Sequence, residues 1–342
     1  MITITKPGLL STIQDLGRFG YQKYGVITSG AMDSLSHRLA NILVGNEENK
    51  PTIEMTLLGP TIQFQQDSLI AICGGDMKPT IQNLPVRMWR PVLVRKGAQL
   101  TFGQAKSGCR VYLAIAGGFF ISAIMNSSST YIRANVGGFH GRALKAGDQL
   151  SCAKITPKSS ILMETLNNQE LHQPFVEAEW SVSSELIPKL ENNPVIRVMD
   201  GRHTHLFTKE SQECFWTKPF QITPQSDRMG YRLNGEPLHL EEPTEILSEA
   251  VTFGTIQVPA DGNPIVLMAD RQTTGGYPKI GEIASVDLPC LAQAKPSDTI
   301  YFSPISLEKA QLLLVEKEKK IKQLKHGLND LLRRKSRCTQ LT

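Results

Sequence analysis

The chain has 342 residues, enough for two domains or one large composite, and 40% of them are apolar, enough to fill a real core. Its formal charge of +5 is uneven: residues 307–342 hold ten Lys/Arg against four Asp/Glu, a net +6, which leaves 27 basic and 28 acidic residues in the body. A near-neutral body without a clustered basic face or interleaved aromatics excludes tracking of nucleic acid, and no apolar run approaches the roughly 18 residues of a membrane helix.

Nothing in Met1–Pro7 resembles an export signal, and the six cysteines are scattered without a CxxC pair. Reduced thiols in the cytoplasm, with no metal site, are therefore expected.

The first notable stretch is "TIQDLGRFGYQKYGV" (12–26), a Gly-punctuated loop that crowds Gln14, Asp15, Arg18 and Tyr21. These residues suit a substrate-binding loop, and Asp15 with Arg18 equally suits a loop salt bridge. In "GAMDSLSHRLANILVGN" (30–46) a helix is expected over 34–44, with Asp33 as its cap, Leu35, Leu39, Ile42 and Leu43 as an apolar stripe, and Gly45 just past its end.

Most of the remaining body reads as short strands: "SLIAICGGDMKPTIQ" (68–82), "RPVLVRKGAQLTFG" (90–103), "RVYLAIAGGF" (110–119), "EILSEAVTFGTIQVP" (245–259) and "PIVLMADR" (264–271). Val, Ile and Thr are dense and Gly or Pro recurs every 8–12 residues, which favours barrels or sandwiches over alternating strand and helix. A weak internal repeat sets "LTFG" (100–103) and "RVYLAIAGG" (110–118) beside "VTFG" (251–254) and "PIVLMADRQTTGG" (264–276). Both halves close alike, with "LKAGDQLSC" (144–152) against "AKPSDTIYF" (294–302). Between them, residues 155–194 are polar and read as an irregular connecting segment.

From Leu307 onward one helix is expected, with Leu307, Leu314, Ile321 and Leu328 spaced by seven. Ala310, Leu324 and Leu331 fill intermediate positions, and Lys317 interrupts them. Either an amphipathic helix on the body or a short coiled coil with a partner fits. The expected organisation is an N-terminal half (1–193), a C-terminal β half (194–306) and a basic helical tail (307–342), in a mainly β chain with a few helices.

Several chemistries lack their motifs. There is no GxxxxGK[ST] loop and no GxGxxG after a strand, so ATP or dinucleotide binding by this chain alone is not expected. The Ala-Met-Lys-Met pattern of a biotinyl-lysine is missing; Asp76-Met77-Lys78-Pro79 is the nearest fragment. His203 and His205 would share one face of a strand, without a third ligand nearby. No GxSxG or Cys/His signature supports a covalent nucleophile.

The stretch that demands an explanation is "IVLMADRQTTGGYPKIG" (265–281). A core strand ending at Met268 would place Asp270, Arg271, Gln272, Thr273 and Thr274 at its rim, where loops carry function. Asp270 could accept a proton or hold an amide N–H, and Arg271 and Gln272 could hold a carboxylate or carbonyl oxygen. Gly275 and Gly276 would let the backbone approach a ligand, with Tyr277 beside them. In the bland alternative, Asp270 and Arg271 pair with each other or brace the turn. In "SDRMGYRLNG" (226–235), Arg228, Tyr231 and Arg232 suit an anionic substrate or, better, a partner interface.

Taken together, "KPGLLSTIQDLGRFGYQKYGV", "SGAMDSLSHRLANILVGN", "IEMTLLGP", "SDRMGYRLNG" and "LSEAVTFGTIQVPADGNPIVLMADRQTTGGYPKIGEIASVDLPCLAQ" closely resemble the family of C components of bacterial ATP-dependent 5-oxoprolinase. The same family is known as the second subunit of allophanate hydrolase or the biotin-dependent carboxyltransferase family. The likeness runs from Lys6 to about Phe302 and leaves out the basic tail. It implies a cyclophilin-like β-barrel composite of two related halves. It also implies partners: a B component of related fold (KipI-like) and an A component, which together with this chain cleave 5-oxo-L-proline to L-glutamate at the expense of ATP, the chain being inactive alone. On this view no cofactor is bound by the chain itself. Two alternatives carried by the same resemblance are a carboxyltransferase half that takes a carboxyl group from a partner's carboxybiotin, as in urea carboxylase, and a non-catalytic regulator that binds a KipI-like protein. Set beside the resemblance, the residue chemistry leads us to expect catalysis from Asp270, Arg271 and Gln272, substrate binding from Thr273, Thr274, Gly275, Gly276 and Tyr277 with Gln14, Asp15 and Arg18, and an interface with the B component at Arg228, Tyr231 and Arg232.

Overall fold

The computed structural model describes residues 1–167 and 173–339. The chain forms two compact units: one of residues 1–17, 33–188 and 318–342, the other of residues 18–32 and 189–317. This division differs from the three consecutive blocks expected from the sequence. Residues 18–32 belong with the C-terminal half, and the long helix Leu307–Thr339 is shared, its residues from Glu318 onward belonging to the first unit.

The first unit holds two six-stranded sheets. One runs Gln149–Leu150, Ile2–Lys6, Thr61–Phe64, Gln99–Thr101, Thr80–Ile81, Leu84–Pro85; the other runs Phe175–Glu177, Pro91–Val94, Ser68–Asp76, Ser107–Ile115, Thr52–Thr56, Leu10–Gln14. Alternation sorts the side chains. Val111, Leu113 and Ile115 join Ile70, Ile72, Ile2, Ile4, Ile62 and Phe64 in one apolar core fed by both sheets. On the opposite face of the second sheet, the helix Ser34–Leu43 packs across strands Ser68–Asp76 and Ser107–Ile115. Asp33 caps that helix as expected, Oδ1 accepting from the Ser36 N–H at 2.9 Å and Oδ2 from the Ser36 hydroxyl at 2.6 Å.

The segment expected to be an irregular connection contains a helix, Pro157–Asn167, and an edge strand, Phe175–Glu177, paired to Pro91–Val94. Thr156 starts the helix by accepting from the Ser159 N–H at 3.1 Å, and Pro157 sits where a missing N–H does no harm. The part of the expected connection at 168–172 lies outside the described residues.

The second unit is a closed barrel of seven strands: Val195–Asp200, Lys279–Ile283, Thr255–Gln257, Ile265–Leu267, Gly230–Asn234, Phe220–Ile222 and Thr299–Pro304. It closes through a parallel pairing of Thr299–Pro304 with Val195–Asp200. Ile196, Val198, Phe215, Phe220, Ile256, Val266, Ile280, Ile300 and Phe302 fill its core.

The internal repeat shows most clearly in the closing turns. Lys145 N–H donates to Asp148 Oδ2 at 2.7 Å, and Lys295 N–H donates to Asp298 Oδ2 at 3.0 Å. The third position is left-handed in both, at φ 90° for Gly147 and 75° for Ser297. The repeat does not extend to strand pairing. Gln99–Thr101 and Ser107–Ile115 lie in different sheets, whereas Thr255–Gln257 and Ile265–Leu267 are antiparallel neighbours.

In the C-terminal helix Ile321, Leu328 and Leu332 are buried, which makes it amphipathic with one face covered by its own chain. Ion pairs reinforce this within the first unit: Arg38 reaches Glu318 at 2.6 and 2.7 Å, Lys320 reaches Glu185 at 2.9 Å, and Lys325 pairs with Glu48. Among the described residues no helix is long and apolar enough to cross a membrane.

Candidate functional site

The polar stretch after strand Ile265–Leu267 does leave the barrel wall. Met268 and Ala269 are still core residues, and Asp270 is buried. From Gln272 the chain turns outward, and Thr274–Gly275 pairs antiparallel with Glu249–Ala250 to make a two-stranded ribbon. Gln272, Thr274 and Tyr277 are exposed, Arg271 and Thr273 half-buried.

Asp270 pairs neither with Arg271 nor with solvent. Its two carboxylate oxygens each accept from Arg228, Nε and Nη2, at 3.0 Å, and both side chains are 8% exposed. The Asp270 N–H also donates to the Arg228 carbonyl at 2.7 Å, and Arg228 Nη2 donates to the Gly30 carbonyl at 2.6 Å. Two parallel charge-assisted bonds fix the carboxylate in direction as well as distance, and this geometry supports a bracing role for Asp270 at the root of the loop.

Arg271 differs. Its Nε finds no acceptor among the described residues, and its single hydrogen bond, to the Met268 carbonyl, is long at 3.5 Å. The guanidinium lies 6.0 Å from the Phe253 ring centre, and burial lowers its pKa, opposed by the charge of Glu282. Glu282 accepts from the hydroxyls of Thr255 at 2.7 Å and Thr252 at 2.9 Å. Burial nonetheless raises its carboxyl above the ordinary range.

Beneath the ribbon sits Lys279, 7% exposed, its ammonium 2.9 Å from Glu249 Oε2 and 3.0 Å from the Ala250 carbonyl. The Lys279 bond holds Glu249 below the usual carboxylate range, and Arg202 adds a second cation at 3.3 Å. Gln257 Nε2 donates to the Tyr277 carbonyl at 3.3 Å. Gly275 is required by close approach: a Cβ there would lie 2.5 Å from Gln257 Nε2.

His203 and His205 do not share a strand face. His203 caps a 3₁₀ turn at Thr204–Leu206 and His205 lies within it, His203 buried and accepting on Nδ1 from the Lys279 N–H at 3.2 Å, His205 exposed. The chain turns helically here because Gly201 and Thr204 bond back to the end of the barrel strand. Burial lowers the pKa of His203. No group of three or more potential metal ligands occurs among the described residues.

Of the residues expected at a partner interface, Arg228 and Tyr231 are buried and Arg232 is exposed. The strand Gly230–Asn234 alternates, so Tyr231 points inward, its hydroxyl donating to the Ala294 carbonyl at 3.0 Å.

Gln14 and Asp15 belong to the first unit and lie apart from any exposed rim, both buried. Asp15 accepts from the hydroxyls of Ser127 (2.8 Å) and Ser129 (2.5 Å) and from the N–H groups of Gly17 (2.8 Å) and Ser128 (2.5 Å). Gln14 donates to Thr12 Oγ1 at 3.1 Å and the Thr130 carbonyl at 3.2 Å; its Oε1 has no donor among the described residues. Arg18 is 1% exposed. Cross-strand register continues this polar layer: Thr12, Glu54 and Tyr112 stand in one row under the helix, with Gln14 beside Thr52. Tyr112 donates to Glu54 at 2.7 Å and accepts from the Asp33 N–H at 2.8 Å. His37 lies fully buried on the Thr52 hydroxyl at 2.9 Å, and desolvation lowers its pKa to about 4.

A seven-stranded barrel carrying a polar loop, in one chain with a second β unit, is the architecture of a carboxyltransferase domain. The chain belongs to the family described as carboxyltransferase domain, subdomain A and B, whose pattern matches residues 24–304. Among particular relatives, it is 40% identical to the C component of 5-oxoprolinase from Haemophilus influenzae, over 96% of this chain and 99% of that protein. It is 36% identical to the C component of 5-oxoprolinase from Escherichia coli, with the same coverage. The crystal structure of Kluyveromyces lactis urea carboxylase superposes with a TM-score of 0.85 at 30% identity, over 96% of this chain and 29% of that one.

Proposed function

We propose that this chain is the C component of a 5-oxoprolinase and that the loop 270–277 contacts the substrate. Near-full-length identity to the C components of two bacterial 5-oxoprolinases supports the reaction. The observation that carries the site is Arg271: a half-buried guanidinium whose Nε–H has no acceptor among the described residues, at the base of an exposed ribbon.

The substrate of such an enzyme, 5-oxo-L-proline, is a five-membered lactam bearing one carboxylate. Its cleavage adds water across the amide: the C–N bond breaks, the water oxygen joins the carbonyl carbon, and the nitrogen gains a proton. Arg271 matches the carboxylate, its half-buried guanidinium offering a charge-assisted hydrogen bond. Gln272 and Thr274, exposed beside it, offer donors for the lactam carbonyl oxygen, where charge develops as water adds. Asp270 acts from beneath by fixing Arg228 and the loop's first residue. Glu282, whose carboxyl burial raises above its ordinary range and whose charge acts on Arg271, is the residue we assign to proton exchange with the ring nitrogen.

Lactam opening is coupled to ATP in this reading, and the chain has no phosphate-binding loop of its own, so the A and B components supply the nucleotide site and the remainder of the machinery. The closeness in fold to urea carboxylase supports a second reading, a carboxyltransferase that takes its carboxyl group from a partner's carboxybiotin. Both reactions act on a carbonyl bonded to nitrogen. One experiment separates them: the purified chain is mixed with its partner proteins, 5-oxo-L-proline and ATP, and glutamate is measured. Glutamate from the mixture and none from the chain alone is the expected result. Carboxylation of urea from carboxybiotin, with 5-oxoproline untouched, overturns it.

A further inference from the structure

A loop that binds substrate with short, exposed residues needs something rigid behind it, because a displacement of about 1 Å can cost on the order of 10²-fold in rate. The ribbon at Thr274–Gly275 is only two residues long on each side, too short to hold itself in water. Its rigidity has to come from elsewhere.

We infer that Lys279 is a positioning residue that clamps the Thr274–Gly275 ribbon in place for substrate binding. The inference rests on the loop's role proposed above. Lys279 stands at the start of a barrel strand whose register is fixed on both sides, by Val195–Asp200 and by Thr255–Gln257. From that fixed base its ammonium reaches two acceptors of the outer ribbon strand, the Glu249 carboxylate at 2.9 Å and the Ala250 carbonyl at 3.0 Å. Glu249 and Ala250 are the residues paired with Gly275 and Thr274. The Lys279 backbone is pinned in turn by its N–H bond to His203 Nδ1. On the far side Gln257 holds the Tyr277 carbonyl, and its amide fills the space that a side chain at position 275 would need. The ribbon is thus held by side chains from two neighbouring barrel strands.

A charge-assisted bond from a buried ammonium is stronger than a neutral one, and the ammonium is the only part of the clamp able to satisfy a carboxylate and a carbonyl together. Replacing it by the methyl end of methionine keeps the apolar stem and removes both bonds. Glu249, more exposed than Lys279, keeps Arg202 and water as partners when Lys279 is gone, so the barrel should survive the change.

The test has two arms on full-length chains. Amide hydrogen exchange compares the wild type with Lys279→Met and with Glu249→Gln, followed in peptides covering 247–251 and 272–277. Exchange faster by about 10-fold or more in those peptides, with the barrel strands unchanged, is expected. In the second arm each variant is assembled with the partner proteins, and KM is measured separately for 5-oxo-L-proline and for ATP. The KM for 5-oxoproline should rise about 10-fold or more while that for ATP stays put, a split that general loss of structure would not produce. Unchanged exchange in either variant overturns the clamp. Faster exchange with both KM values unchanged overturns the positioning role. A wild-type assembly that leaves 5-oxoproline intact overturns the functional reading instead, and the exchange arm still decides the clamp.

Discussion

Two polar stretches, one around Asp15 in the first unit and one around Arg271 in the second, reach opposite ends by the same chemistry. Around Asp15 every carboxylate oxygen is answered: two serine hydroxyls and two backbone N–H groups converge on it, and the residue is buried. Around Arg271 the chain does the reverse. It buries a guanidinium part-way, sets it over the Phe253 ring and leaves its Nε–H without an acceptor among the described residues, while Gln272 and Thr274 stand exposed. A satisfied buried charge stabilises and specifies a fold; an unsatisfied one costs free energy until a ligand arrives. On the reading proposed above, this difference makes the first stretch scaffold and the second the candidate site.

The largest effect on stability belongs to the brace under the loop. Asp270→Ala leaves the Arg228 guanidinium without its carboxylate in a buried setting, and should destabilise the chain by about 3–5 kcal/mol. Chemical denaturation measures this directly. If the loss is only about a tenth of that, Asp270 is not a brace.

Next comes the pH dependence of the scaffold. His37 titrates near 4 in the folded chain because burial disfavours its charged form; the nearby carboxylates of Asp15 and Glu54 oppose that without overcoming it. Unfolded, it binds its proton near pH 6.5. Between those values the unfolded chain holds more protons, so stability should fall as pH drops from about 6.5 to 4, by on the order of 3 kcal/mol in all from this residue. His37→Gln should flatten that part of the profile. A variant that keeps the wild-type slope would place its origin elsewhere.

Asp15→Asn is the smaller scaffold test. One amide oxygen cannot serve four donors, and a loss of about 1.5–3 kcal/mol is expected, read as a lower denaturation midpoint with the same slope. Loss of 5-oxoproline cleavage without loss of stability would move Asp15 from scaffold to site.

How much of this was legible in the sequence follows from the range of each interaction. The helix Ser34–Leu43 and its Asp33 cap were readable because cap and stripe are local. The matched turns at Lys145–Asp148 and Lys295–Asp298 were readable because each closes within four residues. The helix Pro157–Asn167 went unread although Thr156 and Pro157 are a start signal, since its polar composition gives only a weak apolar stripe. The site was half legible. Its polarity and glycines drew attention to 270–277, but the partner of Asp270 lies 42 residues away, and Glu249, Gln257, Lys279 and Glu282 meet the loop only through strand register. A local signal for Lys279 and Glu282 did exist, charged residues within a run that otherwise reads as barrel core. Arg228 and Tyr231 looked like interface because neighbouring Arg and Tyr suit one; alternation buries Tyr231, and pairing with Asp270 buries Arg228.

The measurement that bears most directly on the distinction between scaffold and site is Arg271→Gln in the assembled complex. Because the Arg271 side chain makes only one long hydrogen bond among the described residues, its replacement should leave stability within about 0.5 kcal/mol of the wild type, or slightly raise it. The KM for 5-oxo-L-proline should nevertheless rise about 10–100-fold, the worth of a charge-assisted hydrogen bond to the substrate carboxylate. A wild-type KM, or a fall in stability comparable to that of Asp270→Ala, would contradict the account: Arg271 would then be one more structural residue and the loop one more piece of scaffold.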